Sequence, residues 1–219
     1  MNLQIHFQTT AYIMFFLLSF LIGAGYFIMK WANLGKRSIL LKCAASGLPL
    51  LCAMIYSSSS KTPLYTNMMV WFALFCVISD ALLEIHFITG MFSFAAAHVC
   101  LIIWILGQNK LHMSTFLIWA ILAGTALILF RKEMTSLKEK ALPFLIYACV
   151  LSGVPSLALP LAIFKNSSFL LLGIGTLCFY VSDLFVAAEY FRERKKWHGV
   201  FLMILYWAAL YSITFYAGF

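Results

Sequence analysis

Eight stretches of about twenty predominantly apolar residues run through this chain, and an α-helix needs a stretch of that length to cross a lipid bilayer. They lie close to residues 10–29, 38–56, 66–85, 90–107, 114–130, 142–164, 169–190 and 198–219. Only 10% of the 219 residues are charged and 64% are hydrophobic, a balance that a water-soluble surface does not have. The sequence therefore predicts an all-α fold, a polytopic membrane helix bundle that forms one transmembrane domain over residues 1–219.

Basic residues are concentrated in the connections on one side of the predicted bundle. The loops that follow the odd-numbered stretches carry eleven Lys and Arg residues, whereas the other loops carry three, Lys61, Lys110 and Lys165. By the positive-inside rule, we expect the basic loops in the cytoplasm and both termini on the non-cytoplasmic side. The formal net charge of +8 then reflects orientation and not nucleic-acid binding. The first stretch lacks a preceding Lys or Arg and is too long for a signal peptide, so we expect it to be retained.

Two short patterns occur twice in the chain at nearly the same separation. Ser-Gly-Leu-Pro at 46–49 returns as Ser-Gly-Val-Pro at 152–155, and Ser-Asp at 79–80 returns at 182–183. An even number of stretches separates the copies, so both copies enter the membrane in the same direction. This predicts a parallel repeat of four plus four helices, as some transporters have. The repeat halves are residues 1–110 and 111–219.

Asp80 and Asp183 are the strongest candidates for chemistry. An ionisable side chain at membrane depth is costly and usually marks a site, so we predict that both aspartates are catalytic. The predicted orientation puts both in the cytoplasmic half of the membrane. As equivalent residues of a parallel repeat they lie at similar depth, and we expect them to face each other.

Several other polar residues are expected to support the aspartates. Lys42 is the only cation inside an apolar stretch and could pair with one carboxylate, the alternative being a lysine that extends its ammonium group to the interface. His98 shares one helix stripe with Gly90 and Phe94, and is either a site residue or a buried core histidine. Ser79 and Ser182, which precede the aspartates, complete this set.

Two glutamates lie near the ends of the aspartate helices. Glu84 is one turn beyond Asp80 on the same face, and is either a supporting acid or a solvated residue. Glu189 follows Asp183 by six positions, about 240° around the helix, so we expect it to face elsewhere.

The sequence excludes several common chemistries. It contains no GxSxG nucleophile turn, no HExxH zinc helix, no Walker loop and no GxGD pattern before either aspartate. The six cysteines lie inside apolar stretches without metal-ligand spacing. We therefore expect neither a metal nor a cofactor at the site.

A set of short motifs follows one another through the last seven stretches. They are Lys42 with the later Pro49, Ser79-Asp80, the spacing Phe87-x-x-Gly90-x-x-x-Phe94-x-x-x-His98, and Val181-Ser182-Asp183 before an aromatic and basic loop. Together they resemble the lysoplasmalogenase (YhhN) family of eight-span membrane proteins. The last helix of relatives often carries Tyr-x-x-Ala-Gln, and here Tyr206 and Ala209 are present while Leu210 stands in place of the Gln.

The resemblance implies hydrolysis of the vinyl-ether bond of a lysoplasmalogen, which gives a fatty aldehyde and glycerophosphoethanolamine or glycerophosphocholine. Such a bond is cleaved by protonating its β-carbon, after which water captures the oxocarbenium ion. This chemistry needs an acid that holds its proton and an anion that stabilises the cation. Asp80 and Asp183 would supply both groups if one is protonated and the other ionised. Burial and mutual repulsion would hold one protonated, while Lys42 or His98 would favour ionisation of the other.

The substrate class also fits a membrane bundle with a basic rim. A lysophospholipid could insert its tail between the helices, while its phosphate meets cytoplasmic cations, for which the candidates are Lys36, Arg37, Arg192 and Arg194. A proton-coupled transporter is the alternative function, because parallel repeats and buried carboxylates serve transport equally well.

Overall fold

The computed structural model describes residues 2–59, 63–108, 111–165, 169–192 and 196–218. Within these ranges the chain is helical almost throughout and contains no strand, which confirms the predicted all-α class. The helices are α1 (Asn2–Trp31), α2 (Lys36–Ser59), α3 (Pro63–Ile85), α4 (Phe87–Gln108), α5 (Met113–Leu129), α6 (Arg131–Leu137), α7 (Leu142–Phe164), α8 (Leu170–Phe191) and α9 (Lys196–Gly218). A 3₁₀ turn at Lys138–Ala141 joins α6 to α7.

Seven of the described helices are long and apolar enough to cross a membrane, so the protein is an integral multi-pass membrane protein. The remaining predicted span is α5, which has only 17 residues and is followed by α6 after a bend of 69°. The count is eight if this bent pair forms one span. The sequence analysis treated residues 131–137 as loop, and the short helix there is a feature that the hydropathy pattern did not predict.

Helices that follow one another in the chain pack together in the same way in both halves. In the first half α2 packs against α1 and α3, and α3 packs against α4; in the second half α7 packs against α5 and α8, and α8 packs against α9. The halves join where α4 meets α7 and where α9 meets α2, and α9 also contacts α1 and α3. If α7 and α9 are the equivalents of α2 and α4, the α4–α7 and α2–α9 junctions are equivalent as well. A parallel repeat would give this pattern. The repeat itself stays a prediction.

Pro49 interrupts the hydrogen bonding of α2 close to the site. A proline inside a helix has no N–H for the carbonyl four residues earlier, which here is that of Ala45. The hydroxyl of Ser19 on α1 donates to the Ala45 carbonyl oxygen at 2.8 Å. Because an unpaired carbonyl inside a membrane is costly, this contact ties α1 to α2 at the break.

Gly90 brings α3 and α4 together. A Cβ atom at this position would lie 2.6 Å from the backbone nitrogen of Leu83, so only glycine permits the approach. The stripe predicted on α4 is buried, since Gly90, Phe94 and His98 all face the interior. The close packing of α3 and α4 thus directs His98 into the bundle.

Candidate active site

Asp80 lies on α3 among polar side chains from α2 and α9. The Lys42 Nζ atom is 3.3 Å from Asp80 Oδ1, the Ser46 hydroxyl donates to Oδ2, and the Tyr206 hydroxyl donates to Oδ2 at 3.0 Å. The indole N–H of Trp207 donates in turn to Ser46 Oγ at 3.3 Å. All of these side chains are buried, so Lys42 pairs with a carboxylate inside the bundle and does not extend to the interface.

Glu84 connects this ion pair to the end of the bundle. Its Oε1 atom lies 3.8 Å from Lys42 Nζ and 2.8 Å from Lys30 Nζ, and it accepts a hydrogen bond from the Tyr26 hydroxyl at 2.9 Å. Lys30 also donates to the Tyr26 oxygen at 2.6 Å. Glu84 is therefore ion-paired and hydrogen-bonded, and not freely solvated. The sequence analysis did not single out Tyr26 and Lys30, although their spacing of four places them on one face of α1.

Asp183 lies on α8 in a different environment. The Tyr147 hydroxyl from α7 donates to its Oδ2 atom, and His98 Nε2 lies 3.7 Å from the same atom. The other ring nitrogen of His98, Nδ1, donates to the Phe94 carbonyl oxygen at 2.7 Å. Within the described ranges, no Lys or Arg lies within ion-pair distance of Asp183. The structure therefore brings His98 to Asp183 and Lys42 to Asp80.

Aromatic rings connect the two carboxyl groups, which share no hydrogen-bond partner among the described residues. The Phe179 ring lies 4.7 Å from the His98 ring and 5.5 Å from the Tyr206 ring, centroid to centroid. The site thus consists of two polar groups, and not of a directly bonded aspartate pair.

The hydroxyls of the serines that precede the aspartates bond to backbone carbonyls and not to the carboxyl groups. Ser79 donates to the Phe75 carbonyl oxygen at 2.5 Å, and Ser182 donates to the Leu202 carbonyl oxygen at 3.3 Å. Their predicted supporting role at the carboxylates is therefore corrected. The serine that does bond to an aspartate is Ser46, one turn beyond Lys42 on α2.

A cavity of about 190 Å³ lies where α1, α3 and α8 end, a region that we call the basic end. It is lined by Tyr26, Phe27, Lys30, Trp31, Lys42, Leu83, Glu84, Phe87, Val186, Glu189, Tyr190, Gly199, Leu202 and Met203. Leu83 and Val186 each follow an aspartate by three residues, so the cavity floor lies about one helical turn from Asp80 and from Asp183.

Glu189 faces a different direction from Asp183, in agreement with the offset of about 240° between them, and it lines the cavity. The sequence did not indicate what covers this second face of α8. Because α8 packs against α7 and also against α9, two of its faces are covered by protein. Asp183 faces Tyr147 of α7, whereas the Glu189 carboxylate lies beside Gly199 of α9.

The family model of the YhhN family matches residues 38–217. The chain belongs to the YhhN family. The matched region contributes both aspartates and the residues that contact them, whereas α1, which supplies Tyr26 and Lys30 to the cavity, precedes it. No curated protein and no solved structure matches the chain.

The cations that this YhhN-family protein places at its cavity differ from those predicted to bind phosphate. Arg37 is exposed and does not line the cavity. Arg192 Nε lies 2.7 Å from Glu133 Oε1, and Arg192 Nη2 donates to the Leu129 carbonyl oxygen at 2.8 Å, so this side chain fastens the end of α8 to the bend between α5 and α6. The side chain of Lys36 and all of Arg194 lie outside the described residues.

Lys30 and Lys42 are the cations that line the cavity over the described ranges, and both contact Glu84. Neither was predicted as a phosphate ligand, because hydropathy shows the order of helices but not their rotation. In the described part of the YhhN-family chain, no group of three or more His, Cys, Asp or Glu side chains is arranged to hold a metal ion.

Proposed function

We propose that this protein is an intramembrane hydrolase that cleaves the vinyl-ether bond of lysoplasmalogens. The observation that carries the proposal is the difference between two buried carboxyl groups beside one cavity. Asp80 has an ammonium group 3.3 Å away, whereas Asp183 is surrounded by a tyrosine hydroxyl, a histidine and aromatic rings. Vinyl-ether hydrolysis is accelerated by an acid that protonates the β-carbon and an anion that stabilises the oxocarbenium ion.

The surroundings of the two aspartates support a different role for each. An isolated charge inside a membrane protein is expensive, so a carboxyl group without a cation is favoured in its neutral form. Asp183 is then the acid, and its proton can be shared with the lone pair of His98 Nε2. Asp80 is the carboxylate, since Lys42, Ser46 and Tyr206 all stabilise its negative charge.

The reaction balances with these two groups alone. Asp183 gives its proton to the β-carbon of the vinyl ether, and the resulting oxocarbenium ion is stabilised by the Asp80 carboxylate. Water adds to the cation and loses a proton to Asp80, which forms a hemiacetal. The hemiacetal hydroxyl then returns a proton to Asp183 while Asp80 protonates the departing glycerol oxygen. The products are a fatty aldehyde and a glycerophospho head group, and both aspartates regain their starting states.

The cavity at the basic end suits the polar part of such a lipid. Lys30 and Lys42 on its wall can meet the phosphate, and the apolar surfaces of the surrounding helices can accept the single hydrocarbon chain. Leu83 and Val186 lie between the cavity and the aspartates along their helices. The vinyl ether would pass these two side chains to reach the carboxyl groups.

The test is an aldehyde assay on purified protein. A lysoplasmalogen should release free fatty aldehyde, whereas the matching lysophospholipid with an ester bond should not be cleaved. Asp80→Asn and Asp183→Asn should each lower the rate of aldehyde release by roughly 10²-fold or more, while Glu133→Gln, which changes a carboxylate outside the cavity, should leave the rate unchanged. Folded protein that releases no aldehyde would contradict the proposal, and proton-driven solute flux in proteoliposomes would then favour a transporter.

A further inference from the structure

The Lys42 ammonium group has two carboxylates within reach. Its Nζ atom lies 3.3 Å from Asp80 Oδ1 and 3.8 Å from Glu84 Oε1. The two acids are about one helical turn apart on α3, so they present their carboxylates to the same stretch of α2. A lysine has a flexible stem and a compact charge, and a small rotation would exchange one carboxylate for the other. The pairing of Lys42 with Asp80 therefore depends on what else holds Glu84.

Two side chains of α1 hold Glu84. Lys30 Nζ lies 2.8 Å from Glu84 Oε1, and the Tyr26 hydroxyl donates to the same oxygen at 2.9 Å. Lys30 also donates to the Tyr26 hydroxyl oxygen at 2.6 Å, so each of the two orients the other. The Tyr26 ring is buried, which fixes the direction of its hydroxyl. Glu84 thus has closer partners on α1 than on α2.

These contacts divide four charges into two pairs. Lys30 lies with Glu84 and Lys42 lies with Asp80, so each carboxylate has an ammonium group of its own. Glu84 lines the cavity and Asp80 does not, so an ammonium group at Glu84 is nearer to water. If Lys30 did not balance Glu84, Lys42 would move towards Glu84. Asp80 would then be a buried carboxylate with a weaker counter-charge.

The residues of α1 near this network share one face of the helix. They are separated by four, three and four positions, which is the spacing of one stripe along an α-helix: Ser19, Gly23, Tyr26 and Lys30. The Ser19 hydroxyl donates to the Ala45 carbonyl oxygen of α2, and a Cβ atom at Gly23 would overlap the Trp207 ring of α9. The stripe therefore runs beside the helices that carry the partners of Asp80, and its last two residues reach Glu84.

We infer that Tyr26 and Lys30 are positioning residues for Asp80: by holding Glu84, they leave the Lys42 ammonium group to the Asp80 carboxylate. Both lie on α1, before the region that the YhhN family model matches. The inference rests on the proposed function only for its activity readout, because the competition of two carboxylates for one ammonium group is a property of the charges. This role is separate from a contact between Lys30 and a lipid phosphate.

The first experiment removes the hold on Glu84 and then removes the competition. Lys30→Met should lower kcat for a lysoplasmalogen by about tenfold, and Tyr26→Phe should lower it by roughly threefold, because each leaves Glu84 freer to attract Lys42. Adding Glu84→Gln to either variant should restore most of the loss, since a neutral amide does not compete for the ammonium group. Lys132→Met, which removes an exposed cation of α6, is the control.

The kinetic constants separate positioning from two other roles of α1. A contact between Lys30 and the substrate phosphate would appear in KM, and Glu84→Gln would not reverse it. A purely structural role would lower kcat or the yield of folded protein in a way that Glu84→Gln does not restore. The inference is overturned if only KM changes, or if the added Glu84→Gln restores kcat in neither Lys30→Met nor Tyr26→Phe.

A double-mutant cycle tests the inference without the reaction. The cycle consists of Lys42→Met, Asp80→Asn and the double variant, and thermal unfolding in detergent gives the coupling between the two charges. We expect this coupling to fall by roughly half or more in a Lys30→Met background and to return when Glu84→Gln is added. Equal coupling in both backgrounds would overturn the inference. If the coupling responds as expected while no aldehyde is released, the proposed hydrolase fails and the positioning role stands.

Discussion

The Nε2 atom of His98 lies 3.7 Å from the Oδ2 atom of Asp183 and has no hydrogen-bond partner among the described residues, although both side chains are buried. His98 Nδ1 donates to the Phe94 carbonyl, so Nε2 of the neutral ring carries a lone pair. A buried acceptor without a donor is costly. A proton on Asp183 would satisfy it after a small movement, which is why this pair suits the acid of the proposed reaction.

Replacing Asp183 by Asn should remove the acid and leave the cavity intact. We expect kcat to fall by roughly 10²- to 10⁴-fold, which is the contribution typical of general acid catalysis, while KM changes little. Steady-state aldehyde release in purified protein measures both quantities. Thr176→Val is the control, because this buried hydroxyl of α8 donates only to its own helix, at the Gly173 carbonyl oxygen. A kcat for Asp183→Asn that equals the wild-type value would remove Asp183 from the mechanism.

The helix bundle was predictable from the sequence because a membrane span is defined by the length and hydropathy of a local segment. The predicted span 142–164 has the bounds of α7, and the predicted span 114–130 is shifted by one residue from α5. The short helix α6 was not predicted, since seven residues with several charges have no hydropathy signal. Its position depends on tertiary contacts such as the ion pair between Arg192 and Glu133.

The site was only partly predictable, because its contacts depend on how each helix is rotated. The cost of placing an ionisable side chain inside a membrane marked four residues as unusual: Asp80, Asp183, Lys42 and His98. It did not indicate that each carboxyl group has its own hydrogen-bond and charge partners. The tyrosines at 147 and 206 bond to the two aspartates, and a tyrosine in an apolar stretch has no distinguishing signal. The angle around α8 indicated that Glu189 faces away from Asp183, but it did not indicate that this second face lies against α9 and lines the cavity.

Lys42 and Asp80 should stabilise the fold only as a pair. Lys42→Met leaves a buried carboxylate without its cation, and we expect the free energy of unfolding to fall by roughly 3–5 kcal/mol. Asp80→Asn alone should also be destabilising, because it leaves the buried Lys42 ammonium group without its carboxylate. The double variant Lys42→Met/Asp80→Asn should recover most of the loss, which thermal or denaturant unfolding in detergent can measure. Additive losses in the double variant would show that the two charges do not interact.

Hydrolysis in D₂O should label the aldehyde at one carbon. Because the proposed first step transfers a proton from Asp183 to the β-carbon of the vinyl ether, the product should carry one deuterium at the carbon next to the carbonyl. Rapid reduction of the aldehyde followed by mass spectrometry detects this label and prevents later exchange. Aldehyde incubated in D₂O with the Asp183→Asn variant is the control for exchange after release. Product without deuterium would exclude protonation at carbon.

Gly23 on α1 should be required for the arrangement around Asp80, although α1 lies before the region that the family model matches. A Cβ atom at Gly23 would lie 2.1 Å from Trp207 Cη2, so Gly23→Ala must displace the indole that donates to Ser46. We expect a loss of roughly 1–3 kcal/mol in the free energy of unfolding and slower aldehyde release.

Gly47→Ala is the matched control for this change. Gly47 lies inside α2 beside Ser46, and no atom lies within 4 Å of the Cβ atom that the substitution would add. Because alanine favours a helix more than glycine does, we expect stability to stay the same or to rise by up to about 1 kcal/mol. If Gly23→Ala and Gly47→Ala behave alike in unfolding and in aldehyde release, α1 does not position the Asp80 group, and the contact between Gly23 and Trp207 is only packing.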